Sequence, residues 1–190
     1  MEKKTFYFEN VKDDHTETVF RLVEERLANS GIRKLVLAST TGATAERALN
    51  YFKGKEVKLL VVPHQYDFMR KVNPFPPALV KTLREAGHEV HFGTMLFHTD
   101  KFFGSSIPTI MANLLRCFSQ GVKVCFEIVL MATDAGLVTS GESVIAIAGT
   151  GLKADTAMVM QAASTQNLSK LRVNEILCKP LNRYAAEEEN

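Results

Sequence analysis

Between residues 14 and 29 the apolar side chains Val19, Leu22, Val23 and Leu27 fall on one helical face, with Asp14 and Glu17 spaced like a capping box and Gly31 as a stop. Lys34 to Ser39 follows, a run around Leu35, Val36 and Leu37 that predicts a first strand buried on both faces. A second helix carries Ala45, Ala48, Leu49 and Phe52 inward and ends at Gly54. The alternation then recurs: Val57 to Val62 as a second strand, Pro77 to Ala86 as a helix closed by Gly87, and Glu89 to Met95 as a third strand. Pro108 to Gln120 and Val122 to Val138 are two helical patterns with no strand between them. Ser143 to Ala148 predicts a fourth strand, the region near Thr156 to Ala163 a short helix, and Arg172 to Cys178 a fifth strand.

Strands alternating with helices predict an α/β fold built from βαβ units around a parallel sheet. The long crossover after the third strand carries the chain back past the first, which gives the order 3-2-1-4-5. Its switch point lies between strands one and four, and the crevice outside their carboxyl ends is where such sheets bind ligands. The two loops at that crevice are rich in glycine and hydroxyl residues. The first is Ser39, Thr40, Thr41, Gly42, Ala43 and Thr44; the second is Gly149, Thr150, Gly151, Leu152, Lys153, Ala154, Asp155 and Thr156. A helix amino terminus with free N–H groups and nearby hydroxyls favours an anion, and Lys153 adds a cation. Plainer readings stand beside this one: Ser and Thr also serve as ordinary helix caps, and a glycine turn can carry a solvated lysine. Neither loop reads as a Walker loop or as G-x-G-x-x-G.

The stretch Lys34 to His64, with its strand, its Ser39 to Ala45 loop and the second strand, together with Val144 to Thr156, resembles the carboxyl-terminal domain of pyruvate kinase, and more closely a group of stand-alone proteins of that superfamily. The likeness runs from about Leu35 to Cys178, and the two loops are its specific motifs. It implies a three-layer α/β/α sandwich, a five-stranded mixed sheet of order 3-2-1-4-5 and an antiparallel last strand. It also implies a phosphate held by the loops, and in the stand-alone group that phosphate belongs to flavin mononucleotide (FMN). The catalytic barrel of pyruvate kinase has no counterpart in 190 residues, so kinase activity is not implied.

Other residues extend the candidate site. Glu127 and Asp134 lie seven apart on a helix that is apolar almost all round, so each carboxylate needs a partner. Glu127 either touches ligand or pairs with Lys123 one turn earlier; Asp134 either joins it or caps a neighbouring element. His64 follows the second strand and lies at the carboxyl edge of the sheet, as a ring donor or a solvent-facing loop residue. Phe97 and His98 follow the third strand and reach the crevice only if their loop folds back. Asp100 to Ser106, with Phe102 and Phe103, is a candidate lid.

Composition narrows the function. Lys and Arg number 23 against 21 Asp and Glu, too even a balance for phosphate-backbone binding to dominate, so nucleic acid is not expected. Three cysteines without C-x-x-C spacing give neither a disulfide framework nor a cysteine-rich zinc site, and Cys117 and Cys125 read as core. His88 and His91 would point to opposite faces of a strand, so no metal site is expected. The amino-terminal segment lacks an apolar h-region, and Val122 to Val138 is broken by charges and shorter than the roughly 20 residues a span needs. The expectation is a single cytoplasmic domain off the membrane, with homo-oligomerisation left open. Its partner is a phosphorylated small molecule, either FMN in a flavoprotein with oxidoreductase capacity or a metabolite sensed without catalysis.

Overall fold

A computed structural model describes residues 2–68 and 72–181, apart from the side chains of residues 102 and 103. Their elements are β1 (Phe6–Phe8), α1 (Thr16–Ala28), β2 (Lys34–Ala38), α2 (Ala43–Tyr51), β3 (Lys58–Val62), α3 (Pro77–Glu85) and β4 (Glu89–Val90). After them come α4 (Asp100–Phe103), α5 (Ile107–Arg116), α6 (Gln120–Asp134), β5 (Ser143–Ala148), β6 (Thr156–Gln161) and β7 (Arg172–Pro180). The fold is α/β, with one mixed sheet of seven strands ordered β1-β7-β6-β5-β2-β3-β4.

Period-two alternation in the central strands divides the core between the two faces of the sheet. Leu35, Leu37, Leu59, Val61, Ile145 and Ile147 face α1 and α2 through Val19, Phe20, Val23, Ala45 and Ala48. Val36, Leu60, Val62, Val144, Ala146 and Ala148 face α6 through Val122, Cys125, Ile128 and Val129. Helices therefore cover both faces. α5 packs against α6.

The five-strand order 3-2-1-4-5 is overturned. β4, β3, β2 and β5 are adjacent as the crossover argument requires, but the segment expected as a short helix near Thr156 is strand β6, hydrogen-bonded between β5 and β7. Its residues Thr156 to Met160 are all buried, with Ala157 and Val159 on one face and Met158 and Met160 on the other. A short run buried on both faces has no periodicity that separates strand from helix. The last strand is not the antiparallel one. β6 runs antiparallel to both neighbours, so β7 returns to the direction of β5 and pairs in parallel with β1.

Three further expectations change. The third strand is only two residues long, because the Gln65 side chain accepts the Met95 N–H at 2.7 Å and the chain after Val90 leaves the sheet. Asp14 caps α1 differently: its Oδ1 accepts from Thr16 N–H, while Arg47 binds Asp14 and Glu17 together. Burial opposes the Asp14 charge, but the bonds from Thr16 and Arg47 prevail and hold its carboxyl at about 2. Cys117 is exposed rather than core, while Cys125 is buried. Among the described residues no helix is long and apolar enough to cross a membrane.

Candidate functional site

β2 is the switch point. The chain leaves it for β3 on one side and returns through α5 and α6 to β5 on the other. The loops after β2 and β5 consequently meet at the sheet's carboxyl edge. Thr44 Oγ1 donates to the Leu152 carbonyl at 3.5 Å, and both loops line one cavity of about 400 Å³.

Of the residues expected from sequence, Ser39, Thr40, Thr41, Thr44, His64, Glu127, Gly149, Gly151 and Lys153 line this cavity. Gly42, Ala43, Thr150 and Thr156 do not. Gly42 is the N-cap of α2 with φ 91°, and a Cβ there would press on Leu79 and Pro76. Ala43 opens the helix behind it. Thr156 begins β6, fully buried, and donates to Asp155 Oδ1 at 2.6 Å while α6 passes so close that a Cβ on Gly121 would lie 2.1 Å from its hydroxyl. Its role is packing. Thr150 has its amide held by Asp155 Oδ2 at 2.9 Å, and its hydroxyl oxygen is buried with no hydrogen-bond partner among the described residues.

Anion-binding features sit on the loop side of the cavity. Gly42 brings no side chain to cap α2, and Ser39 Oγ takes only the Ala45 N–H, at 3.2 Å, so the first turn retains donor capacity. Thr40, Thr41 and Thr44 line the cavity beside it, and the Thr40 hydroxyl meets His64 Nε2 at 3.2 Å. The Lys153 ammonium donates to the Lys12 carbonyl at 2.7 Å. The second loop is closed tightly on itself. A Cβ on Gly149 would lie 2.2 Å from the Lys153 carbonyl oxygen and 2.8 Å from the Asp155 nitrogen, both backbone atoms that cannot give way separately. Gly149→Ala is therefore expected to cost about 1–3 kcal/mol by overpacking and to deform the cavity mouth. Gly151→Ala meets no atom within 4 Å and pays only for its φ of 71°. Thermal melting of the two variants checks the ranking, and an unchanged melt for Gly149→Ala would contradict it.

The remaining walls are largely apolar: Val62, Phe68, Met95, Val124, Ile128 and Met131. Set among them is a charged pair. Lys123, 1% exposed, donates to Glu127 Oε2 at 2.6 Å, and Glu127 Oε1 accepts the Phe97 N–H at 2.9 Å. Both sequence readings of Glu127 meet here, since it pairs with Lys123 and lines the cavity. Asp134 takes the plainer role and accepts the Thr165 N–H at 2.8 Å, at the start of a 3-10 turn. Burial pushes the Lys123 ammonium below its ordinary value, and Glu127 counters part of that.

Sequence reasoning missed Lys123 as a cavity residue and had His98 only on the condition that its loop folds back. The segment after β4 does fold back, because Met95 and Phe97 are buried anchors on either side of Leu96, and that turn carries His98 to the cavity with its Nε2 3.1 Å from Lys123 Nζ. The apolar run Met95-Leu96-Phe97 was the available signal. The suggested lid residues Phe102 and Phe103 belong to α4, but their side chains lie outside the described residues. Among the described residues no group of three or more His, Cys, Asp and Glu side chains is arranged to hold a metal ion. No protein-family model matches the chain.

Proposed function

We propose that this cavity binds FMN, with the phosphate on the loops after β2 and β5 and the ring between Phe68, Met95, Ile128 and Met131. The observation that carries the reading is the meeting of two glycine- and hydroxyl-rich loops at one cavity whose other walls are mainly apolar. Its volume, about 400 Å³, lies within the range of small-molecule sites. The donor set fits the group: a helix first turn that keeps unpaired N–H groups beside cavity-lining threonines suits a dianion, and apolar side chains suit a flat aromatic ring. The resemblance of these loops to the pyruvate kinase carboxyl-terminal superfamily points the same way.

Bound FMN would supply hydride and electron transfer, which makes an oxidoreductase the enzymatic form of this proposal. The chain's own residues bind the phosphate, orient the ring and exclude water from it. A second reading, a module that senses a phosphorylated metabolite, draws on the cavity's charged pair being engaged with itself and with Phe97. Fluorescence titration of the protein with FMN and with riboflavin tests the first. FMN is expected to bind at least about tenfold more tightly, the equivalent of 1.4 kcal/mol from phosphate contacts. Equal affinity for both would remove the phosphate from the loops. Thermal stabilisation by sugar phosphates without any by FMN would favour the second reading.

A further inference from the structure

The phosphate loops leave a second polar group in the cavity without a ligand role. His98 lines the cavity from the turn after β4, and its Nε2 lies 3.1 Å from Lys123 Nζ. Lys123 is held from three sides: Glu127 Oε2 at 2.6 Å, His98, and the Phe97 ring, whose centroid is 5.4 Å away. Both oxygens of Glu127 accept hydrogen bonds, so the group that balances the Lys123 charge is fixed in place.

An ammonium group has donors and no acceptor. The nitrogen it meets on His98 must therefore accept and carry no proton. A neutral imidazole then keeps its proton on the other nitrogen, since the bond at one ring nitrogen sets the state of the other. Partial desolvation, with the neighbouring Lys123 charge, lowers the His98 pKa from its ordinary value, which favours the neutral ring that the geometry requires. The groups acting on it are Lys123 and Glu127 from α6, Arg116 from α5 and His64 after β3, with the Phe68 ring packed edge-on. Glu127 is the one carboxylate in that set, and both of its oxygens are occupied.

We infer that His98 is a further ligand-binding residue, whose Nδ1–H, fixed in that tautomer by Lys123, donates to a carbonyl oxygen on the ring end of the bound molecule. The inference rests on the FMN reading and narrows it to a ligand with a phosphate at one end and a carbonyl-bearing heterocycle at the other. A neutral donor suits a neutral carbonyl, because the phosphate charge is already met by the loops. The ammonium behind the ring polarises the donor, as consecutive hydrogen bonds polarise one another. Lys123 is then a positioning residue that acts through His98.

Two measurements test this. With isotope-labelled histidine, a long-range nitrogen–proton correlation spectrum of the protein without ligand at neutral pH is expected to show His98 protonated at Nδ1 and bare at Nε2. A proton on Nε2, or on both nitrogens, would overturn the inference whatever the fate of the flavin reading. In Lys123→Met the same spectrum should lose that fixed tautomer, which loss of packing alone would not cause; if this variant does not fold, the wild-type spectrum still decides.

FMN titration is the second measurement. His98→Ala should bind FMN about tenfold more weakly, the upper range for one hydrogen bond. His98→Gln, which keeps an N–H donor, should recover most of that loss, and competition by inorganic phosphate should not change. FMN affinity unaltered in His98→Ala would sink the donor role. A wild-type protein that takes up no FMN yet shows the Nδ1–H signal would remove the flavin reading, and the donor role with it, while the tautomer stands.

Discussion

Lys123→Met is expected to lower the unfolding free energy by about 3–5 kcal/mol, the usual cost of stripping one partner from a buried ion pair. The variant fills similar space, so the loss is electrostatic. Glu127, with its side chain 3% exposed, would keep only the Phe97 N–H against its charge. Removing both charges should hurt less than removing one. In Lys123→Met with Glu127→Leu no carboxylate is stranded, and the residual cost is the unpartnered Phe97 N–H, about 1–3 kcal/mol. Urea unfolding of the two single variants and the double variant gives the coupling directly, and a single-variant loss below about 1 kcal/mol would mean the pair is solvated. The same pair tethers Phe97 and His98 to α6, so its loss should loosen the cavity wall as well as the fold.

The physical reach of the sequence differs between elements. β2, β3 and β5 announce themselves as short runs of Leu, Val and Ile because parallel strands buried on both faces have no polar side to show. The crossover through α5 and α6 then fixes the switch point without any knowledge of side-chain contacts, and the two loops follow from it. β6 is buried in the same way, but Ala157, Met158 and Met160 are as much at home in a helix as in a strand. Reading that one segment as a helix removed a strand, and the antiparallel direction that the resemblance implied for the last strand belongs to β6 instead. β1, at three residues, carries too little pattern to register, and it exists because β7 offers it an edge.

The site divides along the same line. Loop residues were legible because glycine and hydroxyls at a switch point have a local reason to be there. His98 was legible only on a condition, because its place depends on two buried side chains, Met95 and Phe97, and on Gln65 binding the Met95 amide. Lys123 was legible only as a partner for Glu127. Its contact with His98 joins residues 25 positions apart and has no trace in either local pattern.

Thr41→Glu is expected to abolish binding of a phosphorylated ligand while the protein still folds. Thr41 lines the cavity, is only partly buried, and lies just before the amino terminus of α2. A carboxylate there would occupy the positive end of the helix and face the phosphate with like charge. Such a juxtaposition costs several kcal/mol, or about a hundredfold or more in affinity. Folding should survive, since an acidic side chain at a helix amino terminus is favourable in the ligand-free protein. Thr44 is the poorer site for this test, because it is buried and its hydroxyl ties the two loops at Leu152. Thr41→Ser keeps a hydroxyl and should bind within about threefold of wild type, less than 1 kcal/mol. Titration with FMN and a thermal melt of each variant separate the outcomes. If Thr41→Glu melts like the wild type and still binds FMN with undiminished affinity, the phosphate is not on this loop.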